Sequence, residues 1–329
     1  MLFCLFLSSC FLSLASCSHK KTRNQNPEKK ILTPKKKMAA ENYLYEGIIV
    51  TTYGVIDSPT EENPNRVTFN FESPGDDDNV AANFIHQIKD IGGGLLEGTK
   101  LTVEGVREVA MKGEAKGKLL FSIYGFAADP RGYMIQISYA QRDFKKFMLI
   151  PVLWPSKGKI MAYFADQRLS ASAGELFQSI TPTGQNETIS KSILCHSMGN
   201  RVLRNFANEG VTFDNIFMVA ADVDEDLFNA GWFGSKNEQA LNIKNALTEG
   251  KGGKIHVLYS KNDNALFGSC FANGFRARLG REGIKLDKVI PEVKDFIVSK
   301  DVTNEDCGDG GHNYQFKRHA IDYYESMII

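Results

Sequence analysis

SKSILCHSMGNRVL, residues 190–203, decides the reading of this chain. Ser190 to Cys195 ends in a short apolar run of the kind that forms a strand buried on both faces. Val202, Leu203, Phe206 and Ala207 follow at helical spacing. Between strand and helix stands His196-Ser197-Met198-Gly199, which leaves room only for a sharp turn. A serine at such a turn projects its hydroxyl above the sheet, and small residues on either side keep the strained backbone from clashing. Gly199 holds one of the small positions, and Cys195, small but not glycine, holds the other. The turn also sets the Met198 amide at a helix N-terminus, where it can donate to a developing oxyanion. An ordinary serine beside a helix cap would show the same five residues, so the flanking strand and helix carry the argument.

Outward from this turn the same grammar repeats. Leu119 to Tyr124, Phe147 to Trp154, Asn215 to Ala221 and Lys254 to Ser260 are short apolar runs, read as buried strands. Val293 to Val298 reads as one more. Leu169, Ala173, Leu176, Phe177 and Ile180 form a helical stripe; Leu266, Cys270, Phe271 and Phe275 form another. The end from Tyr314 reads as a terminal helix. Strand, helix, strand, repeated, predicts an α/β fold: a mostly parallel central sheet with helices on both faces. In such sheets the residues just after each strand build the site.

A serine nucleophile needs a base, and the base needs an orienting acid. Three histidines follow Ser197. His256 lies inside a strand run and His319 in the terminal helix pattern. His312 sits in the glycine-rich loop Cys307-Gly308-Asp309-Gly310-Gly311-His312, after the last strand, where a loop can carry an imidazole over Ser197. Asp263, just past the run Lys254 to Ser260, is the favoured acid; Asp222 and Asp224, past the preceding strand, are the alternatives. A second oxyanion donor is expected from the Phe126 amide, after Tyr124-Gly125, although a simple turn accounts for those residues too.

With these residues in view, the chain resembles the bacterial esterase- and lipase-like branch of the α/β-hydrolases, whose members are mainly hydrolases of unknown function. The resemblance runs from about Lys118 to His312. It is carried by LLFSIYGF (119–126), VLWPSKGKIMAYFADQRLSASAGEL (152–176), SILCHSMGNRVL (192–203), NIFMVAADVDEDLF (215–228) and YSKNDNAL (259–266). Trp154, Pro155, Ser156, Gly158, Tyr163, Asp166 and His196 to Arg201 are its distinctive marks. Trp154 to Ser156 are expected to shape the site entrance, with Trp154 packing rather than reacting. The resemblance implies an α/β-hydrolase fold and a triad of Ser197, Asp263 and His312. Acyl-ester hydrolysis is the activity expected of such a triad, and it needs no metal or organic cofactor. The resemblance departs at Tyr124, where many hydrolases carry histidine. Acyl transfer on the same residues, and a binding scaffold that has kept the fold but not the chemistry, are the rival readings.

The N-terminal third reads differently. Tyr45 to Tyr53 and Arg66 to Phe71 read as strands, and Asn79 to Ile91 (NVAANFIHQIKDI) reads as a helix closed by Gly92-Gly93-Gly94, with His86 structural. Asp76 to Asp78 lack the spacing of a calcium loop, and no phosphate-loop lysine follows the glycines. A strand-rich extension is therefore expected over residues 41–117 of a hydrolase domain running 41–329.

Residues 1–17, MLFCLFLSSCFLSLASC, have the length of a signal-peptide core and are short for a spanning helix. The ending Leu14-Ala15-Ser16-Cys17 resembles a bacterial lipobox, in which Cys17 would be lipidated; no Lys or Arg precedes the apolar run, and a plain secretory signal or uncleaved anchor stays open. Residues 18–40 are lysine-rich with little to bury, and are expected to be a disordered tether. The expected setting is the bacterial cell envelope, with the protein exported and held at a membrane by its N-terminus. Lys plus Arg equals Asp plus Glu at 39 each, so the charge gives no argument for a nucleic-acid partner, and none is expected. Outside the signal only Cys195, Cys270 and Cys307 remain, an odd number without metal-type spacing, which argues against a disulfide framework or a zinc site.

Overall fold

Continuous apolar runs become strands here because both of their faces are covered. Leu119 to Phe121, Ile193 to Cys195 and Ile216 to Val219 are almost wholly buried, and each large side chain so placed contributes about 1.5–3 kcal/mol. The computed structural model describes residues 47–51, 55–57, 66–69, 84–92, 95–112, 115–126, 130–154, 189–207, 210–231 and 237–327. The expected signal with Cys17, the tether, Asp76 to Asp78, the marks Pro155 to Asp166 and the stripe Leu169 to Ile180 lie outside these residues.

Among the described residues the strands are β1 (Gly47–Thr51), β2 (Val55–Asp57), β3 (Arg66–Phe69), β4 (Phe84–Gly92), β5 (Leu95–Lys100), β6 (Lys118–Ile123), β7 (Met148–Leu153), β8 (Ser190–His196), β9 (Asn215–Val219), β10 (Ile255–Tyr259) and β11 (Ile297–Asp301). They form one sheet in the order β11-β10-β9-β8-β6-β7-β1-β4-β5-β3-β2. From β11 to β1 every neighbour is parallel; from β1 to β2 every neighbour is antiparallel.

From β6 to β11 the order contains one reversal. From β6 the chain moves one place outward to β7, then returns past β6 to β8 and continues the other way. Right-handed crossovers running in opposite directions put their helices, Pro130–Asp143 after β6 and Gly199–Phe206 after β8, on opposite faces. The carboxyl ends of β6 and β8 thus lie at the switch point, the usual ligand position in an open parallel sheet. The register pairs Ile123 with Cys195, so two residues further on Gly125 comes against Ser197.

Two expectations are corrected. Residues 84–92 are a strand, not part of a helix. Ile85, Ile88 and Ile91 imitate a helical stripe, but Gln87 and Lys89 are exposed and Ile88 between them is buried, the two-residue alternation of a strand. Pairing with β1 on one side and β5 on the other overrides the local spacing. The last strand begins at Ile297 rather than Val293, because Pro291 starts a helical turn, Pro291–Lys294, that takes Val293 into the core. The terminal helix runs Arg318–Ser326. Cys195, Cys270 and Cys307 are free thiols. Among the described residues no helix is long and apolar enough to cross a membrane.

Candidate active site

Ser197 follows β8 directly and has φ +51°, the left-handed region that a side chain adopts at a cost of about 1–3 kcal/mol. A set of hydrogen bonds holds it there. Its amide donates to the Val219 carbonyl at 3.0 Å, and its carbonyl accepts from the amides of Asn200 and Asp222, each at 3.1 Å. The buried Asn200 side chain donates to the carbonyls of Cys195 at 2.8 Å and Ser197 at 3.0 Å, tying strand end to helix start. Glycine is needed at two places around the turn, one within it and one in the loop after β6. A Cβ on Gly199 would come within 2.7 Å of the Tyr124 carbonyl oxygen, and one on Gly125 within 2.6 Å of Ser197 Cβ. Met198, next in the chain, caps the helix Gly199–Phe206, and its amide finds no acceptor among the described residues. Phe126 follows Gly125 and packs half-buried against the core.

His312 and Asp263 arrive from separate loops and meet. His312 Nδ1 lies 2.7 Å from Asp263 Oδ2, while Asp263 Oδ1 accepts the Leu266 amide at 2.8 Å as cap of the helix Asn264–Ala272. The carboxylate, fully buried, thus divides its two oxygens between a helix N-terminus and an imidazole. Nδ1 must carry the proton it gives to a carboxylate, which leaves Nε2 an acceptor in the neutral ring. Burial works against the charged form of His312, but the Asp263 carboxylate and its hydrogen bond outweigh it, so the pKa is raised. Gly311, at φ +76°, lets the histidine loop lie on the acid loop, since a Cβ there would meet the Asn262 carbonyl oxygen at 2.4 Å. Two residues after His312, the buried Tyr314 hydroxyl accepts from the Ala220 amide at 3.0 Å and donates to the Leu258 carbonyl at 2.8 Å. It pins the loop across the ends of β9 and β10.

Asp222 and Asp224 are committed elsewhere. Arg278, only 2% exposed, donates from Nε to Asp222 Oδ1 at 2.9 Å and also bonds Asp224 Oδ1. Ser269 donates to the same Asp222 oxygen, and Arg201 Nε lies 3.8 Å from the other. Asp222 acts on His312 only through space, as the smallest of the influences on its pKa. His256 is a core residue of β10: its Nδ1 meets the Tyr323 hydroxyl at 2.8 Å, its ring stacks on Phe217, and burial, then Lys254, push its pKa down to about 4. His319 lies in the terminal helix, and His86 lies in β4 opposite Ile49 and Lys100.

At the position where many hydrolases carry histidine, the Tyr124 hydroxyl bonds the Trp154 carbonyl. The Trp154 indole returns a bond to the Tyr124 carbonyl at 2.9 Å, with the rings stacked 5.5 Å apart. Trp154 is fully buried, so it packs and locks the ends of β6 and β7 together. Among the described residues no group of three His, Cys, Asp or Glu side chains could hold a metal ion. Sequence reasoning missed the supporting roles of Asn200, Tyr314 and Arg278. Asn200 stood inside the quoted motif and Tyr314 beside His312, but nothing in the sequence ties Arg278 to Asp222.

The parallel sheet, with the strained Ser197 turn at the point where its strand order reverses, fits the α/β hydrolase class. The family model described as "Alpha/beta hydrolase of unknown function (DUF900)" matches residues 102–319, and the chain belongs to that family. The matched span opens after β5 and includes Ser197, Asp263 and His312. No curated protein matches the chain.

Proposed function

We propose that the protein is a serine hydrolase that cleaves carboxylic esters through Ser197, His312 and Asp263. The observation that carries this reading is the 2.7 Å bond between His312 Nδ1 and a fully buried Asp263 carboxylate, from loops at the same edge of the sheet as the strained Ser197 turn. In the scheme, His312 Nε2 takes the Ser197 hydroxyl proton as Oγ attacks the ester carbonyl carbon. Asp263 stabilises the imidazolium that forms. The amides of Met198 and Phe126 receive the oxyanion. Collapse breaks the bond to the leaving alcohol, which takes the proton from His312. Water, deprotonated by His312, then attacks the acyl-enzyme and releases the acid. The scheme calls for no cofactor.

An alcohol or amine in place of that water would make the enzyme an acyltransferase with the same first half. The N-terminal apolar run ending at Cys17 supports a setting at the cell envelope, anchored through a lipidated Cys17; a Cys17→Ser protein that stays in the membrane fraction would remove this part.

The test is intact-mass measurement after brief exposure to 4-nitrophenyl esters of increasing chain length. The reading expects one acyl adduct, mapped to Ser197 and absent from Ser197→Ala. Added alcohol that diverts the acyl group into a new ester would favour transfer. Folded protein that forms no adduct and releases no nitrophenol with any ester would favour a binding scaffold.

A further inference from the structure

His196 has no part in that scheme, yet it stands where three segments of the site meet. It closes β8 immediately before Ser197 and is 7% exposed. Its Nε2 lies 3.1 Å from the His312 carbonyl oxygen, and the two imidazole rings are 4.8 Å apart at 53°. On the other side, a Cβ on Gly125 would come within 3.2 Å of His196 Nδ1, so the imidazole occupies the room that this glycine leaves. A carbonyl oxygen only accepts, so Nε2 carries the proton of the neutral ring. Burial, and then the neighbouring His312, push the pKa of His196 down to about 3. The ring therefore stays neutral wherever His312 can act as a base.

The need for such a group follows from the chemistry of His312. Its Nδ1 is committed to Asp263 and its Nε2 must stay open for proton transfer. With both ring nitrogens so assigned, a further hydrogen bond can be made only to its backbone, and among the described residues the bond from His196 is the one made to the His312 carbonyl. A cationic donor there would repel the imidazolium that forms on His312, whereas a neutral one gives the restraint without that charge.

We propose that His196 is a positioning residue for His312: its neutral imidazole donates from Nε2 to the His312 carbonyl and fills the space beside Gly125, fixing where the His312 ring stands relative to Ser197 and the oxyanion donors. The inference rests on the serine-hydrolase reading and deepens it.

The test compares the rate constant of fluorophosphonate labelling, per folded molecule by circular dichroism, in wild type, Ser197→Ala, His196→Leu and His196→Gln. A glutamine amide nitrogen can stand near the place of Nε2; leucine offers no donor. Removing the donor is expected to slow labelling by about 10–100-fold, the scale of a displacement near 1 Å, and glutamine to recover most of it. With an ester substrate the loss should fall on kcat and leave KM unchanged. A leucine variant at the wild-type rate, or leucine and glutamine equally slow, would overturn the role of His196 while labelling of the wild type leaves the hydrolase reading intact. A wild type that labels no faster than Ser197→Ala would remove that reading and this inference with it. If His196→Leu does not fold, His196→Asn replaces it: its amide reaches the place of Nδ1 rather than Nε2, so asparagine should be slow where glutamine is not, and equal rates would overturn the proposal.

Discussion

The two halves of the sheet obey different rules. From β6 to β11 the strands run parallel, all but the edge strand β11 are largely buried, and each returns to the same edge before a loop leaves it. Those loops supply Phe126, Ser197, Asp222, Asp263 and His312, from widely separated stretches of chain. From β2 to β5 the strands run antiparallel, with Gln87 and Lys89 of β4 and Thr99 and Lys100 of β5 exposed. Successive antiparallel strands end at opposite edges, so no single edge gathers their loops. The match to the family begins at residue 102, beyond the last antiparallel strand. A crossover connection costs a dozen or more residues, and in exchange it collects chemistry along one edge.

The comparison can be broken most severely at the acid. Asp263→Asn should keep the fold and lower esterase activity by about 10⁴-fold, because the amide no longer holds the Nδ1–H tautomer of His312. Asp222→Asn, equally buried but paired with Arg278, should instead cost stability, about 3–5 kcal/mol in denaturant unfolding, with a far smaller loss of rate. Equal rate losses in the two variants would mean that the parallel edge has been assigned the wrong acid.

A smaller effect comes with pH. In the proposed scheme His312 must be neutral to accept the serine proton, and Asp263 outweighs burial to raise its pKa above the ordinary 6.5. Activity should therefore be full above that raised pKa and fall as the pH drops through it. In Asp263→Asn the residual activity should show its acid limb at lower pH, since the partner that raises the pKa is gone. A limb that does not move would detach the titration from this pair.

The smallest effect on chemistry is expected from the antiparallel half. Ile88→Ala, in β4, should cost about 2–5 kcal/mol of stability and leave the labelling rate of folded molecules unchanged. A slowed rate in folded protein would show that β4 shapes the site.

The halves also differ in how far they could be read. The parallel strands were legible because burial on both faces writes them as unbroken apolar runs, and the candidate site residues are those that come next. In the other half a half-buried strand alternates, and over Asn79 to Ile91 three isoleucines at helical spacing outweighed that alternation until pairing with β1 and β5 decided it. The start of β11 was misread because Val293 is apolar and buried in either conformation, and only Pro291 marks the helical turn. Tyr314 and Arg278 were invisible for another reason. Their partners, Leu258 and Asp222, are 56 residues away in each case, and no local pattern records a bond made by the finished fold.

The central claim is that Ser197 is made reactive by His312 and Asp263. Its most direct test is labelling of the folded protein by a fluorophosphonate probe, with detergent present so that a covered site is opened. The account predicts one label per chain, located on Ser197 by peptide mass, absent from Ser197→Ala and strongly slowed in Asp263→Asn. Labelling of a different serine, or equal labelling of Ser197→Ala, would contradict it.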